Sequence, residues 1–185
     1  MLVLPPEKSD NVLMLARAHV RDPLSDAALY DFGEANPGWM VERVGGSFVM
    51  TPTVSIGGAY NSTLNGVLFA WGRAHGYKSF DSQTGFTMPN GDVLVPDASL
   101  LKVATWTSLD KATQESYAPV ILDVVAEIVS KTDRISKIVA KCEGYRADGH
   151  RYVLMFDPIR ESVQAWGEPP ADFPSPEELL AEILR

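Results

Sequence analysis

Three side chains in this 185-residue sequence have the types and spacing to act together on a phosphodiester. Asp97 closes the run Val95-Pro96-Asp97, Glu127 interrupts the apolar run Val124-Val125-Ala126-Glu127-Ile128-Val129, and Lys141 follows on a predicted helix. A carboxylate inside a β-branched run is costly to bury without a partner. A divalent cation is one such partner, and Mg²⁺ or Mn²⁺ takes hard oxygen donors from one or two carboxylates while keeping several waters. Such an ion makes its bound water more acidic and stabilises charge on a phosphate. A nearby lysine would orient the attacking water or offset the developing charge.

The elements that must position these groups can be read from periodicity and turn chemistry. Asp10 or Asn11 caps a predicted helix ending near Val20, and Ser25 caps another over residues 26–35. Strands are expected at 39–44 and 47–50, joined by Gly45-Gly46. A helix follows over 59–75, with Leu64, Val67, Leu68 and Trp71 on one face. Residues 80–83 and 85–88 alternate as strands, and Pro89-Asn90-Gly91-Asp92 is a turn. Residues 93–102 read as one strand through Pro96-Asp97, and 106–116 has helical character. The stretch 120–129 lacks alternation, as expected of a strand buried on both faces. There Asp123, Val125, Glu127 and Val129 share a side, with Asp123 near the strand's start. A helix over 135–148 places Arg134, Lys137, Lys141 and Tyr145 three or four residues apart, and strands follow at 152–156 and 162–166. Ser175-Pro176-Glu177-Glu178 is a capping box that starts an amphipathic helix over 176–184, expected to dock through Leu180, Ile183 and Leu184. This order predicts a mixed α/β or α+β fold with a strand–helix–strand crossover. The domain expected is 1–166, with 167–185 as a proline-rich linker and short tail helix.

Composition narrows the function. The hydrophobic fraction is 45% and the charged fraction 22%, values of a soluble globular chain rather than a disordered one. No apolar run is long enough to span a bilayer, and the N-terminus lacks a basic region followed by an apolar core, so a cytoplasmic protein without membrane association is expected. Cys142, the single cysteine, cannot form an internal disulfide and reads as a small buried helix residue. The net charge of −8 disfavours a generic nucleic-acid binder but not a nuclease, whose bare metal site is itself acidic. Lys131, Arg134, Lys137 and Lys141 form one local basic stretch. His19, His75 and His150 have no ligand spacing and read as surface or helix-end residues. Zinc patterns, glycine-rich phosphate loops and serine nucleophile elbows are missing from the sequence.

The same residues resemble a known family. The segment Asp81 to Asp92, followed by Pro96-Asp97-Ala98-Ser99, is similar to the region before the first catalytic aspartate of the Uma-two family, restriction-endonuclease-like proteins of the PD-(D/E)XK fold. Trp106-Thr107-Ser108-Leu109 resembles the family's W-x-x-L, and Asp123-Val124-Val125-Ala126-Glu127 with Ser130 resembles its P-D-(F/L)-V-V-E-(V/L)-x-S. Lys141, Tyr145 and Gly149 match K-x-x-x-Y-x-x-x-G, and Phe156-Asp157-Pro158 matches (V/I)-D-P. Asn36-Pro37, Glu42-Arg43, Pro52-Thr53 and Asn61 also fit, so the resemblance runs roughly from Leu24 to Trp166.

The resemblance implies a mixed β-sheet flanked by helices and a DNA-cleaving centre. Asp97 and Glu127 would hold Mg²⁺ or Mn²⁺, and Lys141 would serve as the motif lysine from a helix. Glu42 is a further family glutamate near the site, and Asp123, Arg134 and Tyr145 are auxiliary candidates. Val129 departs from the strict Glu-X-Lys motif and puts the lysine role on Lys141, with Arg134 as deputy. Leu122 and Lys131 replace family prolines. Read from residues alone, Lys141 could instead be exposed and paired with Asp148 or Glu143. Glu127 could be a buried glutamate paired with Arg or Lys, Asp97 a turn residue capping its own backbone, and Glu42 a strand-edge residue paired with Arg43 or Lys. A module of the same fold without catalysis, or a homodimeric interaction protein, stands beside the nuclease reading.

Overall fold

The computed structural model describes residues 25–37, 39–52 and 55–185. The helix expected before Val20 lies outside them, as does His19. Two sheets organise the chain. The first is antiparallel, in the order β2-β1-β5-β4, and comprises β1 (Trp39–Val44), β2 (Ser47–Pro52), β4 (Phe86–Thr87) and β5 (Val93–Leu94). The second has the order β3-β6-β7-β8-β9 and comprises β3 (Tyr77–Asp81), β6 (Ala98–Lys102), β7 (Val124–Ile128), β8 (Tyr152–Asp157) and β9 (Ser162–Gly167). Only β7 and β8 pair in parallel in this second sheet, with Glu127 opposite Met155, and α5 (Ile135–Ala147) makes the crossover between them. The expected α/β class and the helix-flanked mixed sheet are therefore present.

Local chemistry explains most boundaries. Ser25 accepts a hydrogen bond from Ala28 N and starts α1 (Asp26–Ala35). Gly45 and Gly46 both take positive φ, which a two-residue hairpin turn requires. The long helix α2 (Ser55–His75) begins four residues earlier than its apolar periodicity suggests. The polar stretch after β6 forms two short helices, α3 (Val103–Ser108) and α4 (Lys111–Gln114), rather than one.

Two sequence expectations fail for instructive reasons. Residues 93–102 are not one strand: β5 belongs to the first sheet and β6 to the second. Pro96 has no N–H to donate, and Val95 N donates to the Glu42 side chain instead of a neighbouring strand. The apolar stretch 120–129 is strand only over Val124–Ile128. Leu122 N instead donates to His150 Nδ1, and Asp123 N to Leu100 O. Its apolarity reports burial, not strand length.

The second sheet is covered on both faces. Ala98, Leu100, Val124, Ala126 and Leu154 pack against Leu64 and Leu68 of α2 and against α6 (Pro176–Ile183). On the other face Val125, Val129, Val153 and Met155 pack with Cys142 and Tyr145 of α5. The capping box at Ser175 is complete, and α6 docks through Leu179, Leu180 and Ile183. Leu184, expected among the docking residues, is 40% exposed at the C-cap, one residue beyond the end of the helix at Ile183. Leu179→Ala should therefore cost about 2–5 kcal/mol, the range for a fully buried leucine, whereas Leu184→Ala should change stability by less than about 0.5 kcal/mol. Denaturant midpoints of the two variants check this; equal losses would contradict the docking described.

Candidate functional site: a lysine among three carboxylates

The joint between the sheets is where the chemistry collects. Glu42 comes from β1, Asp97 from the link between β5 and β6, Glu127 from β7, and Lys141 from α5. Lys141 Nζ lies 2.9 Å from Glu42 Oε1 and 2.9 Å from Glu127 Oε1. Its third acceptor is the Val95 carbonyl, at 3.4 Å. An ammonium has three N–H donors, so all three are matched within the protein. These contacts replace the pairing with Asp148 or Glu143 that residue patterns allowed. They match instead the alternative of a buried Glu127 paired with a lysine, and give Glu42 a lysine partner. Arg43 pairs with Asp26 at 2.9 Å.

Each carboxylate is held by more than the lysine. Glu42 Oε1 also accepts from Val95 N at 2.8 Å. Glu127 Oε1 accepts from the Tyr145 hydroxyl at 3.0 Å, so the auxiliary tyrosine, four residues beyond Lys141 on α5, belongs to the cluster. Asp97 does not cap its own turn: Oδ1 accepts from Asn61 Nδ2 at 3.0 Å and Oδ2 from Ile128 N at 2.7 Å. Asn65 Nδ2 reaches the Asp97 carbonyl at 2.9 Å. Asn61 and Asn65, one turn apart on α2, thus hold Asp97 by side chain and backbone. Asn65 escaped the sequence reading; its only signal was a second asparagine at i+4 beside the apolar face of that helix.

The remaining candidates lie elsewhere. Asp123 shares a strand side with Glu127 but sits four residues back, about 13 Å along the strand. There Oδ2 accepts from Lys102 N at 2.9 Å and Oδ1 faces Arg151 Nε at 3.5 Å. It supports the opposite rim of the sheet. Arg134 stands at the N-cap of α5 with an exposed side chain, outside the buried cluster. His150, read as a surface or helix-end residue, follows the end of α5 but is fully buried. Its Nδ1 accepts from Leu122 N at 2.9 Å, its Nε2 lies 3.2 Å from Met88 Sδ, and its ring meets Tyr145 edge-on. Burial holds this imidazole down at about 4, so it stays neutral. Cys142 is buried as expected, and burial pushes its thiol up to about 12.

Burial and charge set the acidities. Glu127 is pushed up to about 8 by burial, with Asp97 and Glu42 adding to the rise and Lys141 opposing it. Burial also raises Asp97, against the Ile128 N–H and Lys141. Burial alone would lower Lys141, but Glu127 and Glu42 overcome it and keep the ammonium charged. Glu42, Asp97 and Glu127 are oxygen donors of the kind that Mg²⁺ takes, and that ion needs only one or two protein carboxylates. Among the described residues, however, no three His, Cys, Asp or Glu side chains are grouped so as to hold one metal ion. The counter-charge in this arrangement is Lys141.

A mixed sheet flanked by helices, with acids and a lysine at its joint, defines an α/β protein of nuclease-like fold. The chain belongs to the Uma2 family, described as putative restriction endonuclease, whose model matches residues 27–183 and so extends through α6, beyond the Trp166 limit of the sequence resemblance. Among solved structures it is similar to a putative nuclease belonging to DUF820 from Anabaena variabilis ATCC 29413, with a TM-score of 0.60 and 15% identity. That likeness covers 78% of this chain and 89% of the other. No curated protein matches. No helix among the described residues is long and apolar enough to cross a membrane.

A pH dependence follows. The raised pKa of Glu127 means that the folded chain keeps a proton which the unfolded chain releases between pH 4.5 and about 8. Stability therefore falls as pH rises through that window. Glu127→Gln should flatten the fall. Lys141→Met, which leaves two buried carboxylates without their counter-charge, should cost about 3–5 kcal/mol at pH 8.5 and less at pH 5, where protonation relieves the repulsion. Denaturant midpoints at the two pH values check both; a Lys141→Met loss independent of pH would contradict the assigned pairing.

Proposed function

We propose that the chain is a nuclease-fold protein whose centre rests in a lysine-neutralised state and serves there as a binding or regulatory module. The observation that carries this reading is the threefold engagement of Lys141 by Glu42, Glu127 and the Val95 carbonyl. With every N–H already matched, the ammonium offers no donor to a water or a phosphate. On this reading, calorimetric titration with Mn²⁺ at pH 7 gives no heat that depends on Asp97. Metal-dependent loss of heat in Asp97→Ala would overturn it.

A second reading is Mg²⁺- or Mn²⁺-dependent hydrolysis of DNA phosphodiester bonds, favoured by the oxygen donors that converge on the joint and by the family's description. Asp97 and Glu127 would hold the ion, which supplies a more acidic bound water and stabilises charge on the phosphate. Asn61 and the Ile128 N–H fix the Asp97 carboxylate, and Tyr145 orients Glu127. Lys141, once it gives up one of its three contacts, would present an N–H to the attacking water or the phosphate. This reading predicts nicking of supercoiled plasmid in Mg²⁺ or Mn²⁺ that falls at least about 100-fold in Asp97→Ala, the scale for loss of an essential charge-stabilising group. Equal cutting by the variant, or none by either protein across substrates, would defeat it. Neither reading depends on association of two copies, which sedimentation of the full chain would measure.

A further inference from the structure

The basic side chains of this acidic protein are not used alike. Lys111 is paired with Glu115, Arg160 with Asp157 and Arg185 with Glu182. Lys131, Arg134 and Lys137 are exposed and make no ion pair with a described residue; Arg73, Lys78 and Lys102 share that state, but Lys131, Arg134 and Lys137 lead into α5, the helix that carries Lys141. The acid nearest them in sequence, Asp133, is turned away to accept from Ser130 N at 2.7 Å. Their placement is directional. The strand β7 ends at Ile128, one residue after Glu127, and the chain runs through Lys131 into α5. On that helix Arg134, Lys137 and Lys141 follow at intervals of three and four, so they form one stripe from the exposed N-terminal turn to the buried acids.

We propose that Lys131, Arg134 and Lys137 form a track for the phosphodiester backbone of a DNA strand, leading its phosphates toward the Lys141 centre. The inference rests on the nuclease-fold reading for the identity of the partner, and adds which residues hold it. From Arg134 at the N-cap to Lys141 the helix rises about 10 Å, a reach that takes in more than one phosphate of a strand. The track also answers the objection raised by a net charge of −8, because a few unneutralised cations beside the centre set the local field there. Contacts of this kind carry no base preference; they fix register and orientation.

The test is fluorescence anisotropy of a labelled 20-base-pair duplex against the full chain in EDTA, from 25 to 200 mM salt, where cutting plays no part. The wild type should bind with an affinity that falls steeply with salt. In Arg134→Ala/Lys137→Ala the slope of log affinity against log salt should shrink by about two. Arg134→Lys/Lys137→Arg should restore it. Lys111→Ala/Arg185→Ala, which changes net charge equally but elsewhere, should leave the slope unchanged. A wild type that does not bind, a double variant with the wild-type slope, or a control pair that lowers the slope equally would each overturn the track. Binding that is intact but insensitive to Arg134 and Lys137 overturns the track alone, while the metal titration and plasmid assays judge the nuclease-fold readings separately.

Discussion

An ammonium group with three oxygen acceptors is the constraint on which this fold turns. Lys141 reaches across from α5 to Glu42 on the first sheet, Glu127 on the second, and the backbone where the chain passes between them. Buried charges are tolerated only when paired and hydrogen-bonded. The pairing therefore fixes more than two side chains: it requires that α5 present Lys141, Cys142 and Tyr145 inward together, and that both sheets meet at one seam. The tyrosine hydroxyl and the two asparagines of α2 complete the shell, and no buried side-chain nitrogen or oxygen among the described residues is left without a hydrogen-bond partner.

The surrounding architecture delivers these groups by ordinary means. A parallel pair of strands needs a crossover, and α5 is that crossover. Placing a helix there packs it against β7, and the rotation that turns Cys142 inward also brings Lys141 and Tyr145 to Glu127. The proline at position 96 supplies the other half. It ends one strand pairing and begins another, leaving Asp97 at a break in the backbone where its side chain can accept from Ile128 N.

Much of this was legible in the residues. Capping serines at 25 and 175, the Gly45-Gly46 hairpin and the helical spacing around Leu64 and Leu68 placed their elements because those signals are local. Buried acids stood out because a carboxylate in an apolar run demands a partner. The partner itself was not legible. Whether Glu127 faces a lysine, an arginine or an ion depends on the rotation of a helix, and the stripe from Arg134 to Tyr145 has charged residues at one end and buried ones at the other. The two-sheet division was hidden for a similar reason: Pro96-Asp97 marks a break between two apolar halves of 93–102, but nothing local says which neighbours each half takes. His150 does follow a helix end, as the glycine beside it suggests, but nothing local signals its burial or its acceptance of the Leu122 N–H.

The split origin of the carboxylates has a mechanical side. Glu42 and Glu127 sit on different sheets, and one ammonium holds both at 2.9 Å. Widening the seam by even a couple of ångström would pull one acid out of the lysine's reach while leaving each sheet's own ladder whole. The relative position of the two sheets is thus tied to the reach of a single side chain.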